Sequence, residues 1–319
     1  MRRALIIGID AYPNARLHGC VNDAQAMGEV LARNANGSKN FDCKLLTAGK
    51  IEIDEAALRY HIKELFSFPA DVALFYFAGH GQFTTFGGYL VTQDIKRYDE
   101  GVPMDDLLKL ANRATRKRII QEVVIILDCC HSGLAGNAEE DDFSWAVLNE
   151  GVSILTASRG SQTADEIGGG GVFTGMVCAA LDGGAADVTG KVTVASVYTY
   201  VDELLGAWEQ RPMFKSHVSR LIPLRYCEPE VDLPILRKLS DYFEAADYEY
   251  PLDPSYEPDA RPKHPEHEEI FAHLQKFRAA HLVVPVGEDH MYFAAMNKKS
   301  CKLTPRGQYY WDMIRKGQL

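Results

Sequence analysis

Runs of consecutive apolar residues recur along the first two thirds of the chain, and most are followed by a stretch with helical periodicity. The run at 123–127 reads VVIIL and is rich in β-branched residues, which predicts a buried strand rather than an amphipathic helix. It meets Asp128, Cys129, Cys130, His131, Ser132 and Gly133. A second run at 72–77 meets Ala78, Gly79, His80 and Gly81 in the same way. Further strands are expected at 4–9, 41–46 and 152–157, with a short one at 89–92. Helices are expected at 24–35, 53–66, 104–113, 173–181 and 194–205, where apolar positions repeat at three- and four-residue spacing. Asn22 or Asp23 would cap the first of them. The four glycines at 168–171 read as a mobile loop. Strands alternating with helices predict an α/β domain, a mainly parallel sheet covered by helices on both faces.

The pattern changes after residue 227. Residues 228–262 hold ten acidic residues, three basic ones and six prolines, so 228–264 reads as an acidic, Pro-rich linker around one helix at 235–246. A small α+β module is expected at 265–319: a helix at 268–278, strands at 283–286 and 291–296, and a final helix over LTPRGQYYWDMIRKG. Its order is similar to that of a winged-helix module. No internal repeat is visible.

Composition narrows the function. At 319 residues, with 46% hydrophobic and 24% charged residues, the chain has the make-up of a globular protein with a full core. No apolar stretch approaches a membrane span, so no membrane partner is expected. The two arginines before ALIIGI superficially mimic a secretion signal, but Asp10 interrupts so short a run. Seven cysteines, an odd number, argue against a disulfide framework, and a reducing cytoplasm is the expected compartment. A net charge of −10 argues against a general nucleic-acid binder. The C-terminal module, with eight basic and six acidic residues over 266–319, adds no basic footprint.

The candidate chemistry lies where the two apolar runs end. Ligands bind at the carboxyl ends of strands in open α/β sheets. Cys129 or Cys130 and His80 are delivered there together, and a thiol needs a neighbouring base to become a nucleophile. Alternate side chains of a strand share a face, so Asp128 and Cys130 belong to one face and Cys129 to the other. Taken alone, both cysteines would read as ordinary buried core residues. Asp23, taken alone, would read as a helix cap.

The motifs YFAGHG and DCCHSG resemble the histidine and cysteine motifs of the caspase-like cysteine proteases, in particular the metacaspase and prokaryotic caspase branch. The likeness extends in family order to GCVNDA, LTASRGSQTADE, GGVFT and QRPMF, over residues 1–227. It implies a caspase-like peptidase domain there and a cysteine endopeptidase cutting proteins after Arg, or also Lys, in a signalling or defence/cell-death pathway. The nucleophile is then Cys130, the second cysteine of its motif, and the base is His80. His131 is a rival base, but its side chain should diverge from that of its sequence neighbour. Backbone N–H groups of Gly81 and Cys130 would form the oxyanion hole. No third member of a triad can be assigned. Asp23 and Asp128, with Cys20, would line the pocket for the residue before the cut bond, and two carboxylates favour Arg. A serine of the metacaspase pocket, two residues before the histidine, is Ala78 here.

No cofactor or metal is required on this reading. Calcium is the alternative: many metacaspases need it, and the acidic cluster 139–142 offers oxygen ligands without a known loop spacing. Asp94, Asp99, Glu100, Asp105 and Asp106 read as surface residues or caps. The expected partners are protein substrates with basic cleavage sites and an upstream activating protein or protease. The alternative function is a catalytically idle adaptor of the same fold that binds partners or nucleic acid through the C-terminal module. Between Cys130 and Arg159 there is no Lys or Arg, so an enzyme cutting after basic residues would not process itself there.

Overall fold

The structure is a computed structural model that describes residues 1–13, 15–49, 52–84, 87–95, 101–131, 147–157, 166–167, 169–205 and 212–319. The chain divides into two units. The first comprises residues 1–186 and 191–228, and the second comprises 187–190 and 229–319.

In the first unit the apolar runs become the strands of one sheet. These are β1 (Arg2–Gly8), β2 (Asp42–Thr47), β3 (Ala70–Thr84), β4 (Gly87–Leu90), β5 (Val102–Pro103), β6 (Ile120–His131), β7 (Val152–Thr156) and, beyond two short pairs, β11 (Met213–His217). The spatial order is β11-β7-β6-β3-β1-β2, with β4 and β5 extending the end of β3. Neighbours from β7 to β2 are parallel, and β11 runs antiparallel to β7 at the edge. Helices α1 (Cys20–Ala32), α2 (Glu55–Ser67), α3 (Met104–Arg116), α4 (Val172–Ala179) and α5 (Val194–Leu204) cover it. The short pairs are β8 (Glu166–Ile167) with β9 (Gly170–Gly171), and β10 (Lys191–Val192) with β12 (Arg225–Tyr226).

The central strands β1, β3, β6 and β7 are buried on both faces over most of their length, which is why they read as apolar runs. Odd-numbered residues such as Leu5, Phe75, Ile125 and Leu127 pack with α2 and α3. Even-numbered residues such as Ile6, Leu74, Tyr76 and Ile126 pack with α1, α4 and α5. Phe75, Tyr76 and Phe77 are fully buried, and each such side chain contributes about 1.5–3 kcal/mol. α2 is capped at Asp54, whose carboxylate accepts the Ala57 N–H.

Two expectations for this unit change. The strand that carries His80 does not end at Phe77: β3 runs on to Thr84, because β6 pairs with it as far as Gly81 and β4 pairs with it from there. Of the four glycines expected as a mobile loop, Gly170 and Gly171 instead form β9, paired with Glu166 and Ile167.

The second unit contains α6 (Leu233–Arg237), α7 (Leu239–Tyr242), β13 (Glu249–Pro251), α8 (Pro265–Ala279), β14 (Val283–Val286), α9 (Met291–Met296), β15 (Ser300–Leu303) and α10 (Pro305–Arg315). Its sheet is antiparallel, in the order β13-β15-β14. The segment 228–264 is therefore not an extended linker. Leu236, Leu239, Phe243, Leu252 and Tyr256 enter the same core as Phe271, Leu274 and Phe277 of α8. The helix expected at 235–246 is the two short helices α6 and α7. The strand expected at 291–296 is the helix α9, with Met291, Ala294 and Ala295 buried at helical spacing. The hairpin of a winged helix, expected from strands at 283–286 and 291–296, is thus not formed by those segments: β14 pairs with β15 instead.

Candidate active site

The site begins with the register of β3 and β6. His80 lies opposite Cys130, Gly79 opposite Cys129, Ala78 opposite Asp128, and Gly81 opposite His131. Parallel pairing thus brings together two motifs fifty residues apart in sequence, at the carboxyl ends of adjacent central strands. Cys129 is half-buried and packs with the odd-numbered cluster. Cys130 is an even-numbered position, like Asp128. The side chains of Cys130 and His131 lie outside the described residues.

His80 is held from three directions. Its Nε2 lies 2.6 Å from the Ala15 carbonyl oxygen. Its backbone N–H donates to the Tyr12 hydroxyl at 3.0 Å, and that hydroxyl donates to the Val91 carbonyl at 3.1 Å. The Tyr12 ring lies 4.6 Å from the imidazole, centroid to centroid. A side chain at position 79 would collide with the Tyr12 hydroxyl, which explains the glycine before the histidine. A carbonyl oxygen can only accept, so Nε2 carries a proton and Nδ1 is the basic nitrogen of the neutral ring.

The loop that supplies Tyr12 and Ala15 is folded by Asp10. Its carboxylate accepts the Cys20 N–H at 2.9 Å and the Val21 N–H at 3.4 Å, at the start of α1. Its carbonyl accepts the N–H groups of Tyr12 and Leu17. Asp10, Tyr12 and the Ala15 carbonyl are the parts that sequence reasoning missed. The Ala15 contact is a backbone atom and leaves no side-chain signature.

The two expected pocket carboxylates also converge. Asp23 is 7% exposed and sits in the first turn of α1. It does not cap that helix, whose N-cap is Gly19; its carboxylate instead accepts the Gly171 N–H at 2.9 and 3.1 Å. Asp128 accepts the Thr174 hydroxyl at 2.5 Å, and Tyr76 lies 2.6 Å from the same hydroxyl. A Cβ placed on Gly171 would sit 3.0 Å from Asp23 Oδ2 and 3.1 Å from Asp128 Oδ2, so those oxygens are at most about 6 Å apart. Burial raises the Asp128 carboxyl, and the side-chain and backbone hydrogen bonds of Thr174 pull it back. Cys20 belongs to the same cluster: burial, then Asp10, Asp128 and Asp23, push its thiol far up. Cys178 on α4 is pushed up to about 12 by burial and then by Asp23, Asp182 and Asp128. A thiol held this high stays protonated and is a poor nucleophile. Ala78, directly opposite Asp128, offers no hydroxyl.

Among the described residues no group of three or more His, Cys, Asp or Glu side chains could hold a metal ion. The acidic cluster 139–142, Asp99 and Glu100 lie outside the described residues. Asp94 accepts the Thr92 hydroxyl and the Glu55 N–H, and Asp106 pairs with Arg59. Asp105 faces Lys109 at the surface.

A family profile described as the caspase domain matches residues 1–222. The chain belongs to the caspase family. It is 28% identical over 168 residues to a protein named metacaspase-9 from Arabidopsis thaliana; the match covers 48% of this chain and 50% of that one. The chain thus spans about half the length of that curated relative. Among solved structures it resembles caspase-1 from Spodoptera frugiperda, with a TM-score of 0.51, 13% identity, and 71% of this chain and 90% of that one covered. Protein GSU0716 from Geobacter sulfurreducens gives a TM-score of 0.51 at 15% identity, covering 71% of this chain and 99% of that one. These two establish the caspase fold alone. The family is one of cysteine proteases that act on protein substrates. Within this caspase domain, His80 and residues 128–131 lie toward the carboxyl ends of β3 and β6. No helix among the described residues is long and apolar enough to cross a membrane.

Proposed function

We propose that this caspase-family chain is an endopeptidase that cuts after Arg, with Lys as its second choice. The observation that carries the specificity is the convergence of the Asp23 and Asp128 carboxylates around Gly171. A guanidinium is planar and presents paired donors, so it can meet two carboxylates at once; an ammonium meets them as a point charge. An aspartate side chain there would add a third negative charge and be rejected.

Cys130 is the proposed nucleophile and His80 the proposed base and acid. Nδ1 of His80 takes the thiol proton while Nε2 stays donated to Ala15. The thiolate attacks the carbonyl carbon of the basic residue. The resulting oxyanion is received by backbone N–H groups, for which Gly81 and Cys130 are the candidates. The imidazolium returns the proton to the leaving amine, and a thioester forms. Water, deprotonated by His80, then attacks the thioester and regenerates the thiol and the imidazole.

The test is a fluorogenic peptide series with Arg, Lys or Asp before the leaving group. The expected order of kcat/KM is Arg, then Lys, with Asp not cleaved. Preferential cleavage after Asp overturns the pocket assignment.

A further inference from the structure

Among the described residues no cation lies beside Asp128. The groups that face it are Cys20 and Asp23 from α1, Tyr76 from β3, and Thr174 and Cys178 from α4. None of them is positively charged. Among these groups, the hydrogen bonds of Thr174 are what favour its ionised form.

Those hydrogen bonds run in one direction. An ionised carboxylate can only accept, so the single Thr174 hydroxyl proton goes to Asp128 Oδ2. The Thr174 oxygen is then free to accept, and Tyr76 is its donor at 2.6 Å. Tyr76 is fully buried, and among the described residues no other acceptor reaches its hydroxyl. If Asp128 took up a proton at Oδ2 and donated it to Thr174, the threonine oxygen, with two lone pairs, would accept from both Asp128 and Tyr76. The buried Thr174 hydroxyl proton would then lose its carboxylate acceptor. The relay thus opposes protonation of Asp128, and a stranded buried donor is costly.

We propose that Thr174 and Tyr76 are positioning residues that aim Asp128 and keep it charged for a basic side chain. This rests on the specificity reading above. Neither residue touches the substrate; both act through the carboxylate. Gly171 completes the arrangement, because any side chain there would occupy the space between Asp128 and Asp23.

The experiment uses the full chain and an Arg fluorogenic peptide, with kcat and KM measured across pH for wild type, Thr174→Val, Thr174→Ser and Tyr76→Phe. Loss of a hydrogen bond to a charged group corresponds to roughly 10- to 150-fold, so Thr174→Val should lower kcat/KM at least about tenfold, mainly through KM. Its acid limb should move to higher pH, since the carboxyl loses the donor that opposed its burial. Thr174→Ser should restore both values. Tyr76→Phe should move them the same way by less. A Thr174→Val enzyme with the wild-type KM and acid limb overturns the proposal, as does failure of Thr174→Ser to restore them.

A second readout does not depend on activity. The stability difference between wild type and Thr174→Val should widen as pH rises through the carboxylate range, because the donated bond is strongest to the ionised form. If Thr174→Val does not fold, the same comparison is made with Tyr76→Phe. A difference that stays flat with pH overturns the relay even if no peptide is cleaved. A wild type that cleaves neither Arg nor Lys peptides, yet shows the widening difference, sinks the specificity reading and leaves the relay standing.

Discussion

Replacing Glu122 with Gln should change how the stability of this protein depends on pH. Glu122 lies near the start of β6 and is 2% exposed. Its Oε2 accepts the Ile222 N–H at 2.7 Å, while Oε1 is buried without a hydrogen-bond partner among the described residues. Burial pushes the carboxyl up from 4.5 to about 7, against the smaller opposing pull of the Ile222 N–H, Arg220 and Arg2. At 1.36 kcal/mol per pH unit, that displacement is worth about 3 kcal/mol. An unfolded chain releases this proton near pH 4.5, whereas the folded chain keeps it to about pH 7. Between those values the folded state binds the extra proton, so its stability falls as pH rises. The contribution is complete below pH 4.5 and gone above about 7. Gln can still accept the Ile222 N–H and has no proton to lose. Relative to their difference at low pH, the Gln variant should therefore gain about 3 kcal/mol on wild type by mildly alkaline pH. For a domain of this size, that is a Tm gain of roughly 6–12 °C. Thermal and urea unfolding of both proteins over a pH series measures it. Two curves that stay parallel from acid to alkaline pH would refute the reasoning.

Two further outcomes are expected. Tyr12→Phe removes the hydroxyl that bridges the His80 N–H and the Val91 carbonyl, and each stranded group costs about 1–3 kcal/mol; Tm should drop, and kcat for a cleaved peptide should fall with KM little changed, because His80 loses its support. Cys130→Ala should abolish peptidase activity with the fold intact, whereas Cys129→Ala, which trims a half-buried side chain on the odd-numbered face, should keep most activity at a cost of about 1 kcal/mol; an inactive Cys129→Ala beside an active Cys130→Ala would reverse the assignment.

The first unit was largely legible because its strands are buried on both faces. Such strands are apolar at nearly every position, so 4–9, 72–77 and 123–127 stand out as runs, and 152–157 is broken only by Ser153 and Thr156. Their helices carry one apolar face and show a clear period. The parity argument for 128–130 needed only the alternation of a strand, and Cys129 indeed packs with the odd-numbered cluster.

The second unit was less legible because its segments are short. Met291, Ala294 and Ala295 face the core of a six-residue helix while Tyr292, Phe293 and Met296 are exposed. Over six residues a helical period and a strand period are hard to separate, so packing decided between them. The acidic segment at 228–262 was misread for a related reason. Its charges and prolines dominate the average composition, but a few dispersed apolar residues, among them Leu236, Phe243 and Tyr256, are sufficient to anchor it in a core. Average polarity does not reveal whether apolar residues far apart in sequence share one cluster.

By itself, then, the sequence determined the central strands and main helices of the first unit, the faces of those strands, and the motifs that can carry thiol chemistry. Tertiary structure decided which of those residues meet. Pairing β3 with β6 in one register placed His80 opposite Cys130. Folding the loop after β1 around Asp10 brought a backbone carbonyl to the imidazole, an interaction that depends on the path of the chain rather than on the identity of residue 15. Closing the β8–β9 hairpin onto α1 turned Asp23 away from its own helix terminus toward Gly171. A side chain's chemistry is local and can be read from sequence, but its partners are set by contacts between segments far apart in the chain, and those exist only once the sheet has formed.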